Sequence, residues 1–399
     1  MKQTVAYLNS NDGSSILACG EQDRLRIEKA TSLTQLEDFF KRNEGLFRFG
    51  CLSYDLKEGL HDLVSSNPDA IEFSDICFWV PEFVVRMDQE NFEFLQGEKN
   101  EERLEFINTV LEEETNTNFH QHDFHFQPQI SKEAYLEKVR ILQEHIQRGD
   151  IYEVNFCQEY RAENVAIRNV WDAYFKLNHL TQAPHSAFVA FDEFAVFCGS
   201  PERFLRKKEN RLISQPIKGT ARRSADPNED EMLKRSLEKD PKERSENVMI
   251  VDLVRNDLSR VAAKDSVVVD ELCGVYTYET VHQLISTISC ELRAGVSFSD
   301  VMNATFPMGS MTGAPKRRAM ELIESNENFK RGLYSGSIGY LDPQGNFDFN
   351  VVIRTLIYNS EKNVLSCSVG SAITIQSDPE KEYEECLIKV RRIMEGINE

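Results

Sequence analysis

Two pairs of glutamates and one lysine have the residue types and spacing for chemistry. Glu243 and Glu246 stand three apart on one predicted helix, and Glu382 and Glu385 three apart on another, so each pair shares a helical face. Like charges at that spacing cost a helix about 0.2–0.5 kcal/mol, and on charge alone each pair reads as a solvated acidic face. Two features point the other way. Glu246 is followed by the apolar stretch VMIVDLV, and Glu385 is followed by Lys389 one turn on and then by Ile393. Carboxylates that enter a buried face need a cation. One or two hard oxygen ligands from each helix suit Mg²⁺, which keeps several waters and usually holds a substrate anion.

The lysine is Lys218 in SQPIKGTARR, set between Ile217 and Gly219 in a turn after the predicted strand RLIS. A glycine there lets the backbone approach a ligand closely. A lysine is normally a surface charge; if this one is buried, its pKa is expected to fall, freeing the amine as nucleophile or base. Glu202 in GSPERF lies sixteen residues upstream at a strand start, where it can come beside Lys218. Arg354 falls on the more polar face of an alternating strand (Phe347, Phe349, Val351, Ile353) and can grip a carboxylate in a fork. FPMGSMTGAPKRR is not a Walker loop, because no Lys-Ser/Thr follows its second glycine. The amides at Ala314-Pro315 suit either a carboxylate or a tight packing turn. Gly332, Gly336, Gly339 and Gly370-Ser371-Ala372 are glycine positions of the same kind.

The elements that must position these residues follow from caps and periodicity. Asp240-Pro241 and Asp378-Pro379 each open a long helix, with Asp as N-cap and Pro at the first helical position; Glu243 takes the capping-box place. Ser131 opens a further helix with the stripe Tyr135, Val139, Leu142, Ile146, closed by Gly149. Residues 1–100 alternate short apolar runs with turns, and a helix-like stretch covers Glu102–Glu114. The polar run TNTNFHQHDFHFQPQ at 115–129 reads as a linker, dividing a segment 1–118 from a site-bearing domain 128–399. Its His120, His122 and His125 fit a linker or edge strand rather than a metal site. Strands and helices are interspersed without a βαβ beat, so the fold class is α+β, not a doubly wound sheet.

Composition narrows the field. There are 46 basic against 66 acidic residues, a net charge of −20, which opposes nonspecific nucleic-acid binding. A 41% hydrophobic content supports a real core. The start MKQTVAYLNS lacks an apolar leader core, and no run of about 18 apolar residues occurs, so a soluble cytoplasmic chain with no membrane partner is expected. Nine scattered cysteines without C-x-x-C read as buried and reduced.

With these residues in place, the sequence resembles the chorismate-utilising enzymes, most closely the branch that forms 4-amino-4-deoxychorismate. The matching blocks are GDIYEVNFCQ, GSPERF, PIKGTARR, ERSENVMIVDLVRNDLSRV, TFPMGSMTGAPK, RGLYSGSIGY, FNVVIRTL and VGSAITIQSDPEKEYEEC, in family order over about residues 130–395; SYDL echoes the family's divergent first segment. The resemblance implies two packed antiparallel-rich sheets flanked by helices. It implies Mg²⁺ bridging Glu246 and Glu385, with Glu243 and Glu382 holding its waters, and the ring carboxylate of chorismate on that ion. Tyr334, Arg354, Lys389 and the backbone of Gly370, Ser371 and Ala372 would hold the enolpyruvyl carboxylate and its surroundings. Gly219 and Thr220 would line the ring, Glu202 would act as general acid on the 4-hydroxyl, and His282 would face the ring. Lys218 stands where relatives making anthranilate or isochorismate carry alanine, and in the 4-aminating branch that lysine attacks ring carbon 2. Glu153 departs from the pattern, since glutamine is commoner there in aminating relatives and lysine in isochorismate-forming ones. A dianionic substrate on an acidic protein requires a locally cationic pocket. No Cys-x-Gly-x-Gln motif is present, so glutamine hydrolysis would fall to a partner amidotransferase subunit. The alternatives are the anthranilate-forming branch and a non-catalytic scaffold that binds chorismate or an amino acid.

Overall fold

Side-chain alternation with a period of two organises the molecule. In the strand Phe194–Ser200, Phe194, Val196 and Cys198 enter one apolar cluster while Ala195 and Phe197 enter another. In Val5–Asn9, Ala6 goes to the first cluster and Val5 and Tyr7 to the second. Both strands are therefore buried on two faces, which is why they read as continuous apolar runs.

A computed structural model describes residues 3–88 and 91–399. Its strands form two antiparallel sheets of eleven and ten strands, each with one strand paired off the main order, Gln127–Pro128 on Glu153–Glu163 in the first and Val268–Thr277 on Val281–Glu291 in the second. The first runs in the order Gly313–Ala314, Glu153–Glu163, Val364–Ile373, Thr355–Asn359, Phe194–Ser200, His185–Phe191, Val5–Asn9, Ser14–Cys19, Phe83–Asp88, Asn91–Gln96. The second runs Ile217–Arg222, Val281–Glu291, Arg211–Gln215, Arg203–Lys208, Phe347–Asn350, Ser337–Leu341, Arg48–Leu52, Ile76–Val80, Asp23–Ile27. Between the sheets lies a core holding Phe49, Trp79, Val196 and Phe349. The outer face of the first sheet packs against the helices Lys132–Arg148, Val170–Thr181 and Pro379–Asn398 through Val139, Leu177 and Val390. This is the α+β, two-sheet architecture flanked by helices.

Strands from before residue 118 and after residue 128 share hydrogen-bonded ladders in both sheets: Val5–Asn9 pairs with His185–Phe191, and Arg48–Leu52 with Ser337–Leu341. The 115–129 stretch is tied down along its length. His122 N–H donates to the Asn398 carbonyl, Lys176 Nζ donates to the His120 carbonyl, and Gln127–Pro128 pairs with Arg161 and Tyr160. His120 is engaged by Asp172, and His122 stacks on Phe124. All nine cysteines are free and buried. No helix among the described residues is long and apolar enough to cross a membrane.

The strand expected through Ile353 stops at Asn350, because the chain leaves the second sheet there and enters the first at Thr355. The helices carrying the glutamates start as their caps dictate. Asp240 accepts from the Lys242 and Glu243 amides, and Asp378 from those of Glu380 and Lys381. Asp240→Ala is expected to cost about 1 kcal/mol of stability, read as a lower urea midpoint at unchanged m-value. Glu243 does not return to close a capping box. Its carboxylate turns towards Gly219, where a Cβ would lie 3.1 Å from Glu243 Oε2.

Candidate active site

Two chain crossings between the sheets build the site. Phe194–Ser200 leaves the first sheet through Pro201 and Glu202 into Arg203–Lys208 of the second; Phe347–Asn350 returns through residues 351–354 into Thr355–Asn359. The crossings lie side by side, with the Val351 amide on the Glu202 carbonyl and the Gly199 amide on the Arg354 carbonyl. Glu202 and Arg354 thus sit at the seam, and Arg354 takes a left-handed backbone (φ 52°) to turn there. They open onto a cavity of about 750 Å³.

Lys218 reaches this cavity because of a bulge. Ile217 pairs with Ile285 and Thr220 with Gln283, so one extra residue is accommodated on the lysine's strand, with Gly219 at φ 92°. The lysine side chain is one-tenth exposed, and Nζ donates to Glu153 Oε1 at 2.7 Å. Here the structure corrects the expected depressed pKa. Burial alone pulls Lys218 down, but the Glu153 and Glu246 carboxylates outweigh it and hold the amine above its ordinary value. The resting side chain is an ammonium. Glu202 goes the opposite way for a carboxyl: burial pushes it up to about 7, against the Ser310 hydroxyl donating at 2.6 Å and the charge of Lys218.

The helices Pro241–Ser259 and Pro379–Asn398 bring all four glutamates to the cavity wall. Burial raises Glu246 to about 7 and raises Glu243 also, while Glu385, with its side chain 46% exposed, is held low by Lys389 at 2.6 Å. Three features bear on whether this set suits a divalent cation. Glu246 Oε1 is buried without a hydrogen-bond partner. The Lys242 ammonium lies 3.7 Å from that oxygen and 3.3 Å from Glu382 Oε1, so carboxylates of both helices already converge on one positive charge. The donors are all hard oxygens, the set Mg²⁺ takes. Among the described residues no three or more His, Cys, Asp or Glu side chains stand together as a group that could hold a metal ion.

At another part of the wall, burial and the nearby charge of Arg392 lower Arg354 to about 10, and such a desolvated guanidinium gains from a carboxylate ligand. Tyr334 is buried, which raises its phenol well above the usual value and keeps it neutral. Gly370 is required by close approach, since a Cβ would meet Asn155 Oδ1 and Cys157 Sγ at 2.6 Å. The Ser371 hydroxyl lies 3.3 Å from the buried Tyr135 hydroxyl. Gly219, Thr220 and Ala372 also line the cavity. Lys389 lines it too, but its ammonium is engaged by Glu385 and the Gly370 carbonyl.

His282 is placed elsewhere. Val281 and Gln283 line the cavity and His282 between them does not; its ring is held by Asp230 at 3.1 Å and Thr277 at 3.0 Å. The lining is also not cationic as expected. Lys218, Arg222, Lys242, Arg354, Lys381, Lys389 and Arg392 face Glu202, Glu243, Glu246, Glu380, Glu382, Glu384 and Glu385, seven against seven. Sequence reasoning missed Ser310, delivered to Glu202 by the glycine-rich stretch, and Lys242, whose signal was its position one turn before Glu246.

The seam cavity thus gathers glutamates from two helices and a desolvated arginine beside a buried amine and a buried acid. The chain belongs to the chorismate-binding enzyme family, whose model matches residues 3–395. It is 44% identical over 265 residues to aminodeoxychorismate synthase component 1 of Klebsiella aerogenes, covering 66% of this chain and 58% of that protein. It is 34% identical over 399 residues to anthranilate synthase component 1 of Aquifex aeolicus, covering 93% and 80%. The crystal structure of anthranilate synthase component I from Streptococcus pneumoniae superposes with a TM-score of 0.81 at 27% identity, over 95% of this chain and 92% of that one. The chain therefore spans less than two thirds of the length of the aminodeoxychorismate synthase it matches.

Proposed function

We propose that this protein converts chorismate and ammonia to 4-amino-4-deoxychorismate, the precursor of 4-aminobenzoate and folate. The observation that carries this reading is Lys218 itself: a buried amine at the cavity wall, with the protonatable Glu202 acting on it across the cavity. Lys218 nitrogen bonds to ring carbon 2, the two ring double bonds shift, and the 4-hydroxyl leaves as water with a proton from Glu202. Ammonia then adds at carbon 4, the double bonds shift back, and the carbon 2–nitrogen bond breaks. Two transpositions leave the new nitrogen at carbon 4, whereas a single direct amination would leave it at carbon 2. Splitting one displacement into two lowers each barrier. Arg354 and Tyr334 orient the enolpyruvyl carboxylate, and the backbone at Gly370–Ala372 closes around it. Mg²⁺ on Glu246 and Glu385, with Glu243 and Glu382 on its waters, would supply the charge that tips an evenly balanced lining towards a dianion. Ammonia would come from glutamine through a separate amidotransferase subunit.

The extensive match to the Aquifex relative favours one alternative product, anthranilate. Incubation with chorismate, Mg²⁺ and excess ammonium, followed by chromatography, separates the two. The expected product is 4-amino-4-deoxychorismate, lost on chelation with EDTA and regained with added Mg²⁺; anthranilate as the main product refutes the proposal. Ligand binding without turnover would instead mark a scaffold.

A further inference from the structure

We propose that Glu153 is the proton acceptor for Lys218: its carboxylate takes one proton from the ammonium before the amine bonds to the ring, and gives it back once that bond has broken. This rests on the reading of Lys218 as nucleophile. An ammonium has no lone pair, so the resting lysine must lose a proton first, and the group that receives it must already touch Nζ. Glu153 Oε1 does so at 2.7 Å, and it is the Nζ hydrogen bond found among the described residues.

The other carboxylates whose charge acts on Lys218, those of Glu202, Glu243, Glu246 and Glu385, make no hydrogen bond to its ammonium among the described residues. Glu202 on the crossing segment accepts from Ser310 and supplies the proton for the departing hydroxyl. Glu246 on the helix Pro241–Ser259 lies towards Lys242. Arg354 and Lys242 are cations. Glu153 is 1% exposed, and its second oxygen is buried without a hydrogen-bond partner. The strand Gly313–Ala314 packs against its backbone: a Cβ on Gly313 would meet the Glu153 carbonyl at 2.2 Å, so only glycine lets the two backbones come this close. A proton that leaves Lys218 can pass directly along this hydrogen bond to Glu153. The steps balance. Glu153 holds that proton while the carbon 2 adduct persists as a secondary ammonium, which is already a competent leaving group, and the freed amine recovers it from Glu153. The proton released when ammonia adds returns to Glu202. A glutamine at position 153 could accept no proton, so this device belongs to chains with a carboxylate there.

Rapid-quench mixing with chorismate and Mg²⁺, read by intact mass of the denatured protein, gives the rate of adduct formation for the wild type, E153Q and E153D between pH 6 and 10. Dividing each variant's rate by the wild-type rate cancels the ionisation of Glu202. For E153Q the proton must go to bulk water, so the ratio rises about tenfold per pH unit while the variant's lysine is still mainly protonated. For E153D the ratio is constant. As a readout in the wild type itself, the infrared difference spectrum on adding chorismate gains a buried protonated-carboxyl band that E153D shifts. A purely structural role for Glu153 lowers the E153Q rate equally at every pH and gives no such band, and that result overturns the proposal alone. Absence of any adduct in the wild type overturns the nucleophile reading and this proposal with it.

Discussion

Lys218→Ala is expected to lower formation of 4-amino-4-deoxychorismate by about 10³-fold or more, the scale on which loss of a covalent nucleophile acts, and to leave a small flux to a carbon 2 aminated product. The reason is positional. Without the lysine nitrogen there is no first transposition, so an ammonia that expels the 4-hydroxyl by shifting both double bonds ends at carbon 2. The truncation also removes the side chain that fills this part of the cavity, opening a place for ammonia beside that carbon. The ion pair makes a control necessary, because Lys218→Ala strands Glu153 as a buried carboxylate with no hydrogen bond on either oxygen. The double variant Lys218→Ala with Glu153→Gln removes that charge. If the single variant lost activity only by destabilising the site, the double variant would regain the 4-amino product; on the covalent reading it does not. Chromatographic product ratios at saturating chorismate, with and without ammonium, decide between them. Full retention of the 4-amino product by Lys218→Ala would end the covalent reading.

What the sequence made legible was residue type and local signal. The Asp-Pro starts at 240 and 378 and the Ser131 to Gly149 helix follow from groups a few residues apart, and they form as the caps require. The glutamate pairs were visible because i, i+3 spacing alone places them on one face. What stayed hidden depends on partners far along the chain. Burial alone predicts a fall in the pKa of Lys218, and the opposite direction follows from Glu153, 65 residues upstream on a strand of the other sheet that meets it at the seam. The strand through Val351 and Ile353 looks continuous because apolar residues persist while the chain crosses from one sheet to the other, with Val351, Val352 and Ile353 all against the core between the sheets. His282 has the composition of a site residue, yet Asp230, itself held low by Arg223, claims its ring. The polar run 115–129 reads as a linker from composition alone, whereas the family resemblance implies interleaved N- and C-terminal parts; strands from before 118 pair with strands from after 128 in both sheets.

Glu202→Gln is expected to lower kcat by about 10²–10⁴-fold, the range for losing a positioned general acid, with a smaller change in KM for chorismate. The amide keeps the shape and can still accept from Ser310, but it has no proton to give to the departing hydroxyl. The wild-type pH profile carries a matching signature. Glu202 is raised by burial to about 7, so the acid form is present below that pH and is lost as pH rises through it. At saturating Mg²⁺, where the proposed ion on Glu246 would keep that carboxylate from titrating on its own, kcat/KM should fall on the alkaline side with a midpoint near that value, and Glu202→Gln should lose that limb along with the rate. Ser310→Ala supplies the sign check. The Ser310 hydroxyl stabilises the carboxylate and so pulls Glu202 down; its removal leaves burial less opposed and moves the midpoint to higher pH. A shift to lower pH, or a limb that persists unchanged in Glu202→Gln, would assign the ionisation to another group and leave the 4-hydroxyl without this acid.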